Sequence, residues 1–351
     1  MFSHILFLSP LALQAIAFPS HLESRAGPCR KPSVRQEWRN FSKQQKTAWI
    51  DAFKCLESKP HDPTLQPVPS APGLPPMNTT GSLYDDFTYV HINLYPFIHF
   101  NALFLPWHRW YLHTLEQLVE TECGYKGPMG YWDWTKDASN LKESTMFDGN
   151  KKSGLGGFGK ANNDFVVKDD AFADSVRSYP SPHTISRNFS ETPFDENRFQ
   201  PTPWIPKTRI RDVVTPGTVQ SVINGHQGDF KGFLDAFDIV EGFHTGVHLM
   251  VGGDLMDPAI SPNDPLFFLH HGMLDRVWYL WQKKSTRNKK AFSGGLTPGL
   301  ATLEQFLEFR SAGMDPQASL TTPIPNANFR DAVTVGDVLD TESGYLCYVY
   351  E

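Results

Sequence analysis

The chain has 351 residues, enough for two average domains or one large one. Apolar residues make up 40% and charged residues 20%, a globular balance that excludes a disordered chain. Lys and Arg number 32 against 38 Asp and Glu, and the resulting charge of −6 gives no electrostatic basis for binding a nucleic acid. The 26 Phe, 9 Trp and 11 Tyr favour a large, tightly filled core.

In chain order, residues 1–17 (MFSHILFLSPLALQAIA) read as a secretory signal peptide, an apolar run too short to span a bilayer that ends in Ala15-Ile16-Ala17. Residues 18–32 read as a lead or short pro-segment, and 33–351 as a single domain. No second apolar stretch is long enough for a membrane anchor, so a secreted, extracellular protein is expected. The sequons Asn40-Phe41-Ser42, Asn78-Thr79-Thr80 and Asn188-Phe189-Ser190 suit glycosylation in that compartment. The four cysteines, Cys29, Cys55, Cys123 and Cys347, form no C-x-x-C pair and suit two disulfides. Three pairings are open; Cys29–Cys347, stapling the termini, with Cys55–Cys123 is the one put forward.

A helix is expected from near Ser33, where Ser33-x-x-Gln36 and Ser42-x-x-Gln45 resemble capping boxes, with Trp49, Phe53 and Leu56 on its apolar face. Residues 59–80 hold seven prolines and read as an extended loop. A helix runs from about Trp107, with Leu112, Leu115, Leu118 and Val119 as its buried stripe, and stops at Gly124. Residues 148–163 read as a Gly, Lys and Asn-rich surface loop, and 178–208 as a Pro-rich stretch without periodicity. Helix returns over 218–249 and over about 266–285, separated by a Gly/Pro loop at 252–265. Short β-type runs close the chain. The fold class is mainly α, a central antiparallel four-helix bundle with long loops and a few short β-strands.

Thirteen histidines are present, and their placement is the informative feature. His91, His99 and His108 are spaced 8 and 9 apart; His244 and His248 form an i, i+4 pair on one helix face; His271 follows 23 residues on. Two imidazole trios drawn from paired helices of a bundle could each hold one metal. Imidazole without thiolate or carboxylate suits copper, zinc or iron. His244-Thr245-Gly246-Val247-His248 lacks the Glu that a zinc protease uses as its base, which counts against hydrolysis. His4, His21, His61, His183 and His226 read as ordinary core or surface residues, His113 as a packing residue, and the ring of His270 is expected to point away from the cluster.

The residues around these histidines carry a resemblance. The stretch from His99 to Glu116, HFNALFLPWHRWYLHTLE, resembles the first copper signature of the tyrosinase family, and that from Asp264 to Asp275, DPLFFLHHGMLD, the second. Tyr131-Trp132-Asp133-Trp134 and Tyr348-Val349-Tyr350 resemble further blocks of these proteins, and Cys29 with Pro32–Trp38 resembles the start of short secreted polyphenol oxidases of ascomycete fungi. The resemblance implies two copper ions, a type 3 pair with O2 as co-substrate, one held by His91, His99 and His108 and the other by His244, His248 and His271. It implies that Phe267 packs on an imidazole. Asp275, four residues after His271 on the same helix face, is expected to accept a ring N–H of His271, with a helix salt bridge to Arg276 or a nearby Lys as the alternative, and Arg109 and Glu116 are expected to pair. Three positions depart from the family pattern. Phe97 stands where some members cross-link a Cys to a histidine. Thr245 stands where an Asn helps hold the water that deprotonates a monophenol, with Asp235 or Glu241 as the carboxylate that shares it. The closing motif is followed only by Glu351, so no C-terminal shielding domain is expected.

The activity implied is oxidation of o-diphenols or o-aminophenols to quinone-type products, with O2 reduced to water and a small phenol as the partner. Catechol-oxidase-like behaviour is favoured over full tyrosinase behaviour, and tailoring of one secondary metabolite fits the same site. A hemocyanin-like oxygen carrier is the remote alternative.

Overall fold

In the computed structural model the described residues are 29–69, 74–194, 208–299, 308–330 and 332–351. The expected signal peptide and residues 18–28 of the lead lie outside them. Where a helix is expected from Ser33, the chain forms a strand, β1 (Ser33–Glu37), followed by one 3-10 turn over Trp38–Asn40. The inward-facing residues of β1 are Arg35, whose ion pairs with Glu116 and Asp275 are made far along the chain, and Glu37, which pairs with Arg39 next to the strand, so an alternating pattern is present but written in charges.

The helix proper, α1 (Lys43–Ser58), begins at the second of the two capping signatures: the Ser42 hydroxyl accepts from the Gln45 N–H, and the Gln45 side chain accepts from the Ser42 N–H. Trp49, Phe53 and Leu56 are buried on one face as expected. In α2 (Leu83–Ile98) the Ser82 and Asp85 side chains cap reciprocally. Pro96 sits in its last turn, and the chain leaves the helix at His99 with extended backbone. The next helix, α3 (Phe104–Cys123), starts three residues earlier than expected and ends on Gly124, whose φ of +67° is the left-handed conformation glycine takes without a Cβ penalty.

The second helical region is broken into α4 (Ile210–Val213), α5 (Pro216–Asn224), α6 (Phe230–Phe237) and α7 (Phe243–Val251). The Gly/Pro loop carries one short helix, α8 (Gly253–Met256), before α9 (Leu266–Lys283) and α10 (Thr286–Lys290). Residues 178–194 form turns and bridges without helix. The architecture is mainly α, as expected. The strands are few: β1 pairs in parallel with β2 (Gly130–Tyr131) on one side and β5 (Tyr348–Tyr350) on the other, while β3 (Gly295–Thr297) and β4 (Met314–Gln317) form an antiparallel pair.

The core lies where α3 packs on α1 and α9 and α1 packs on α2. Phe53, Tyr84, Phe87, Tyr111 and Phe268 interlock there, largely edge to face, with Tyr111 stacked on Phe268. Both disulfides put forward are formed, Cys29–Cys347 holding the N-terminal segment beside β5 and Cys55–Cys123 joining α1 to the end of α3. No helix among the described residues is long and apolar enough to cross a membrane.

Candidate metal centre

Four helices deliver the histidines: α2 and its end carry His91 and His99, α3 carries His108, α7 carries His244 and His248, and α9 carries His271. One candidate ligand atom each from His91, His99 and His108 fall within 4.8 Å of one another, and the same holds for His244, His248, His270 and His271. The clusters face each other, with the His108 and His271 rings stacked at 4.4 Å and 12° between them. His99, His244 and His248 retain 7, 7 and 9% exposure against 1% for His91 and 2% for His271, so the site opens on the side of the first three.

The chain fixes the tautomers by giving Nδ1 a partner. The Nδ1–H of His99 donates to the Tyr95 carbonyl (3.2 Å) and that of His108 to the Phe104 carbonyl (2.7 Å), each four residues back. His91 and His248 donate to Ala259 and Leu255 of the 252–263 loop, at 3.2 and 2.8 Å. In each case Nε2 is left to point into the cluster. Burial pushes His99, His244 and His248 down to about 3, and His91, His108 and His271 well below the usual imidazole value, so all six are neutral at physiological pH.

An aromatic ring lies one turn before three of these histidines. Tyr95 packs on His99 (4.4 Å), Phe104 on His108 (4.7 Å), and Phe267 stacks on His271 at 4.1 Å, the last as expected. The i−4 spacing that brings them together was a legible signal for Tyr95 and Phe104.

Several expectations are overturned. Asp275 does not reach His271, whose Nδ1 has no hydrogen-bond partner among the described residues. Its carboxylate instead accepts from Arg109 Nε (2.5 Å), Tyr348 (2.5 Å), Tyr350 (2.6 Å) and Arg35 (3.3 Å). Burial alone would raise it, but the two guanidiniums hold it below the usual carboxylate range. Arg109 is thereby taken from Glu116, which pairs with Arg35 at 2.9 Å.

Neither candidate water-holding carboxylate makes a hydrogen bond or ion pair with a site histidine among the described residues. Asp235, on α6, accepts from Lys231 Nζ and the Ala312 N–H, and Glu241 is half-buried in the turn before α7. The carboxylate that does reach the site is Asp238, which the sequence reading missed: its Oδ1 is 2.6 Å from His244 Nδ1, and it is 1% exposed. Burial pushes its carboxyl well above the usual range. Thr245 follows His244 on α7, half-buried. His270, expected to turn away, lies inside the cluster, 4.7 Å from His248 ring to ring.

The family model for the common central domain of tyrosinase matches residues 81–284, more than half of the chain and spanning both clusters. The chain belongs to the tyrosinase family. Its relatives include tyrosinase ustQ of Aspergillus flavus, 30% identical over 92% of this chain and 80% of that protein. N-acetyl-6-hydroxytryptophan oxidase ivoB of Emericella nidulans is also 30% identical, over 91% of this chain and 92% of that protein. A polyphenol oxidase variant from Thermothelomyces thermophila superimposes with a TM-score of 0.66 at 25% identity, covering 91% of this chain and 89% of its own.

As a tyrosinase-family chain the protein is a type 3 copper oxidase. The donor set fits a copper pair: buried neutral imidazoles in two groups, with the Nε2 atoms of His91 and His108 buried and lacking any hydrogen-bond partner among the described residues. An imidazole nitrogen so placed costs free energy unless something accepts its lone pair.

Proposed function

We propose that the protein is a secreted polyphenol oxidase that converts o-diphenols or o-aminophenols to quinone-type products, using the domain 33–351 and a copper pair. One ion would be held by His91, His99 and His108 and the other by His244, His248 and His271. The observation that carries this reading is the pair of facing imidazole trios with His108 and His271 stacked between them. When bound, the copper pair shuttles electrons from phenol to oxygen, so that two catechols and one O2 give two quinones and two waters.

The chain's own residues do the rest. Carbonyls of Tyr95, Phe104, Leu255 and Ala259 hold four rings with Nε2 inward. Phe267 and Phe104 exclude water from the inner face of the rings, and a flat phenol enters beside His99, His244 and His248, where the exposure lies. With Asp235 tied to Lys231 and Thr245 in place of an amide, these two residues would hold a water beside the entry only weakly, which favours diphenol over monophenol oxidation.

A tailoring role on one hydroxylated metabolite is the second reading, favoured by the relative whose name specifies N-acetyl-6-hydroxytryptophan and which matches along nearly its whole length. Oxygen uptake by the copper-loaded protein with 4-methylcatechol and tyramine in parallel tests the proposal. Uptake is expected with the catechol and not with tyramine; equal uptake makes it a full tyrosinase, and none with either turns the reading toward a narrow tailoring substrate or an oxygen carrier. Thr245→Asn is expected to raise the tyramine-to-catechol rate ratio several-fold, and a flat ratio removes Thr245 from the account.

A further inference from the structure

The second cluster contains one imidazole more than one ion of a copper pair needs in the reading above. His270 is fully buried, and neither of its ring nitrogens makes a hydrogen bond of ordinary geometry among the described residues. Its ring lies 4.7 Å from that of His248, 5.3 Å from that of His271, and parallel to that of His244 at 6.0 Å. One candidate ligand atom from each of the four falls within 4.8 Å of the others.

An imidazole ligates a metal through the lone pair of whichever ring nitrogen carries no proton, and the His270 ring brings such a nitrogen into the cluster. Adjacent residues on a helix ordinarily diverge by about 100°, which is why the sequence places this ring elsewhere. Here the α7 pair approaches α9 from the side that meets both His270 and His271. His271 is meanwhile sandwiched between Phe267 and His108 and has no hydrogen-bond partner at Nδ1 among the described residues to anchor it from behind.

We propose that His270 is a reserve ligand of the second copper site. It captures the ion with His244 and His248 during loading, and it holds the ion when His271 is not available. The proposal rests on the copper reading of the site, and the test separates the two. Copper-free full-length protein, wild type and the variants His270→Phe, His271→Phe and the double variant, is titrated anaerobically with Cu(I) supplied from a chelator. Copper per chain and the loading rate of the second ion are measured; phenylalanine keeps a ring in the buried volume without a donor.

The expected result is two ions in wild type, two in His271→Phe with at least tenfold weaker binding of the second, and one in the double variant. One ion in His271→Phe, or two in the double variant, overturns the reserve ligand while wild type holding two leaves the copper reading intact. Wild type binding none overturns both. Should His271→Phe not fold, loading of His270→Phe decides: a second ion taken up at least tenfold more slowly than in wild type supports the proposal, and an unchanged rate overturns it.

Discussion

A histidine that binds metal through Nε2 must keep its proton on Nδ1, and the group that takes that proton sets both the tautomer and the basicity of the ring. Backbone carbonyls do this for four of the site histidines, but His244 is served by a carboxylate, Asp238, buried with it at 2.6 Å. Where this carboxyl is ionised it makes the ring a stronger donor than a carbonyl does; burial opposes that ionisation and a cation bound to the ring favours it, so the two copper sites should differ in affinity. Asp238→Asn preserves shape and can still meet Nδ1, though its amide can present the wrong hydrogen-bonding edge. It is expected to weaken binding of the second ion by about 10–100-fold and leave the first unchanged. Competition with a Cu(I) chelator measures this, and equal loss at both sites would show that Asp238 acts on the fold rather than on His244.

At the scale of elements, Asp275 ties three parts of the chain to α9. Arg35 reaches it from β1, Tyr348 and Tyr350 from β5, and Arg109 from α3. Arg109 also donates to the carbonyls of Val338 and Leu339, fixing the short helix Val335–Leu339. Its guanidinium lies 3.6 Å from the ring centroid of Trp278, and that of Arg35 lies 3.5 Å from that of Tyr348. Removing one member of such a buried network leaves the others uncompensated, which costs about 3–5 kcal/mol. Asp275→Ala is therefore expected to lower the urea midpoint sharply while the folded fraction still takes up two copper ions per chain. Lost copper with unchanged stability would return Asp275 to the role expected from the sequence. That expectation failed for a physical reason. Spacing places Asp275 one turn after His271, but which of two turns a carboxylate serves is decided by what else arrives, and the arginines came from β1 and α3. The strand at Ser33 escaped notice likewise, because its inward residues are ionic and the partners of Arg35 lie 81 and 240 residues away. Asp238 lies six residues before His244 across the break between α6 and α7, a separation with no helical meaning. What periodicity and turn chemistry encode was legible in the buried face of α1 and the stop at Gly124, whereas the assignment of the two histidine trios and the ring of Phe267 came from the resemblance of their flanking residues to the family signatures.

Across the whole molecule, the buried titratable groups set an acid limit for the copper-free protein. His99, His244 and His248 are pushed to about 3 and His113 to about 4 by burial, against 6.5 when unfolded. A basic group whose folded value is depressed contributes stability that is complete above the unfolded value and is lost as pH falls through the folded one. Each of these four therefore costs about 1.4 kcal/mol per pH unit below 6.5, or about 2 kcal/mol at pH 5. Three buried carboxyls, Asp86, Asp170 and Asp238, work in the opposite direction. Burial pushes Asp86 and Asp170 to about 6, so the stability they contribute is present at low pH and is lost as pH rises through 6; each regains about 1.4 kcal/mol between pH 7 and pH 5. Burial depresses His91, His108, His270 and His271 in the same sense, so the histidine losses outnumber the carboxyl gains and acidification lowers stability on balance. Copper-free protein is thus expected to have a lower urea midpoint at pH 5 than at pH 7.5, falling most steeply below pH 6.5. Replacing His113 by Phe, away from both clusters, should flatten that fall measurably, because the group no longer takes up a proton on unfolding. A midpoint independent of pH between 7.5 and 5 would mean that the site histidines reach solvent in the folded copper-free chain.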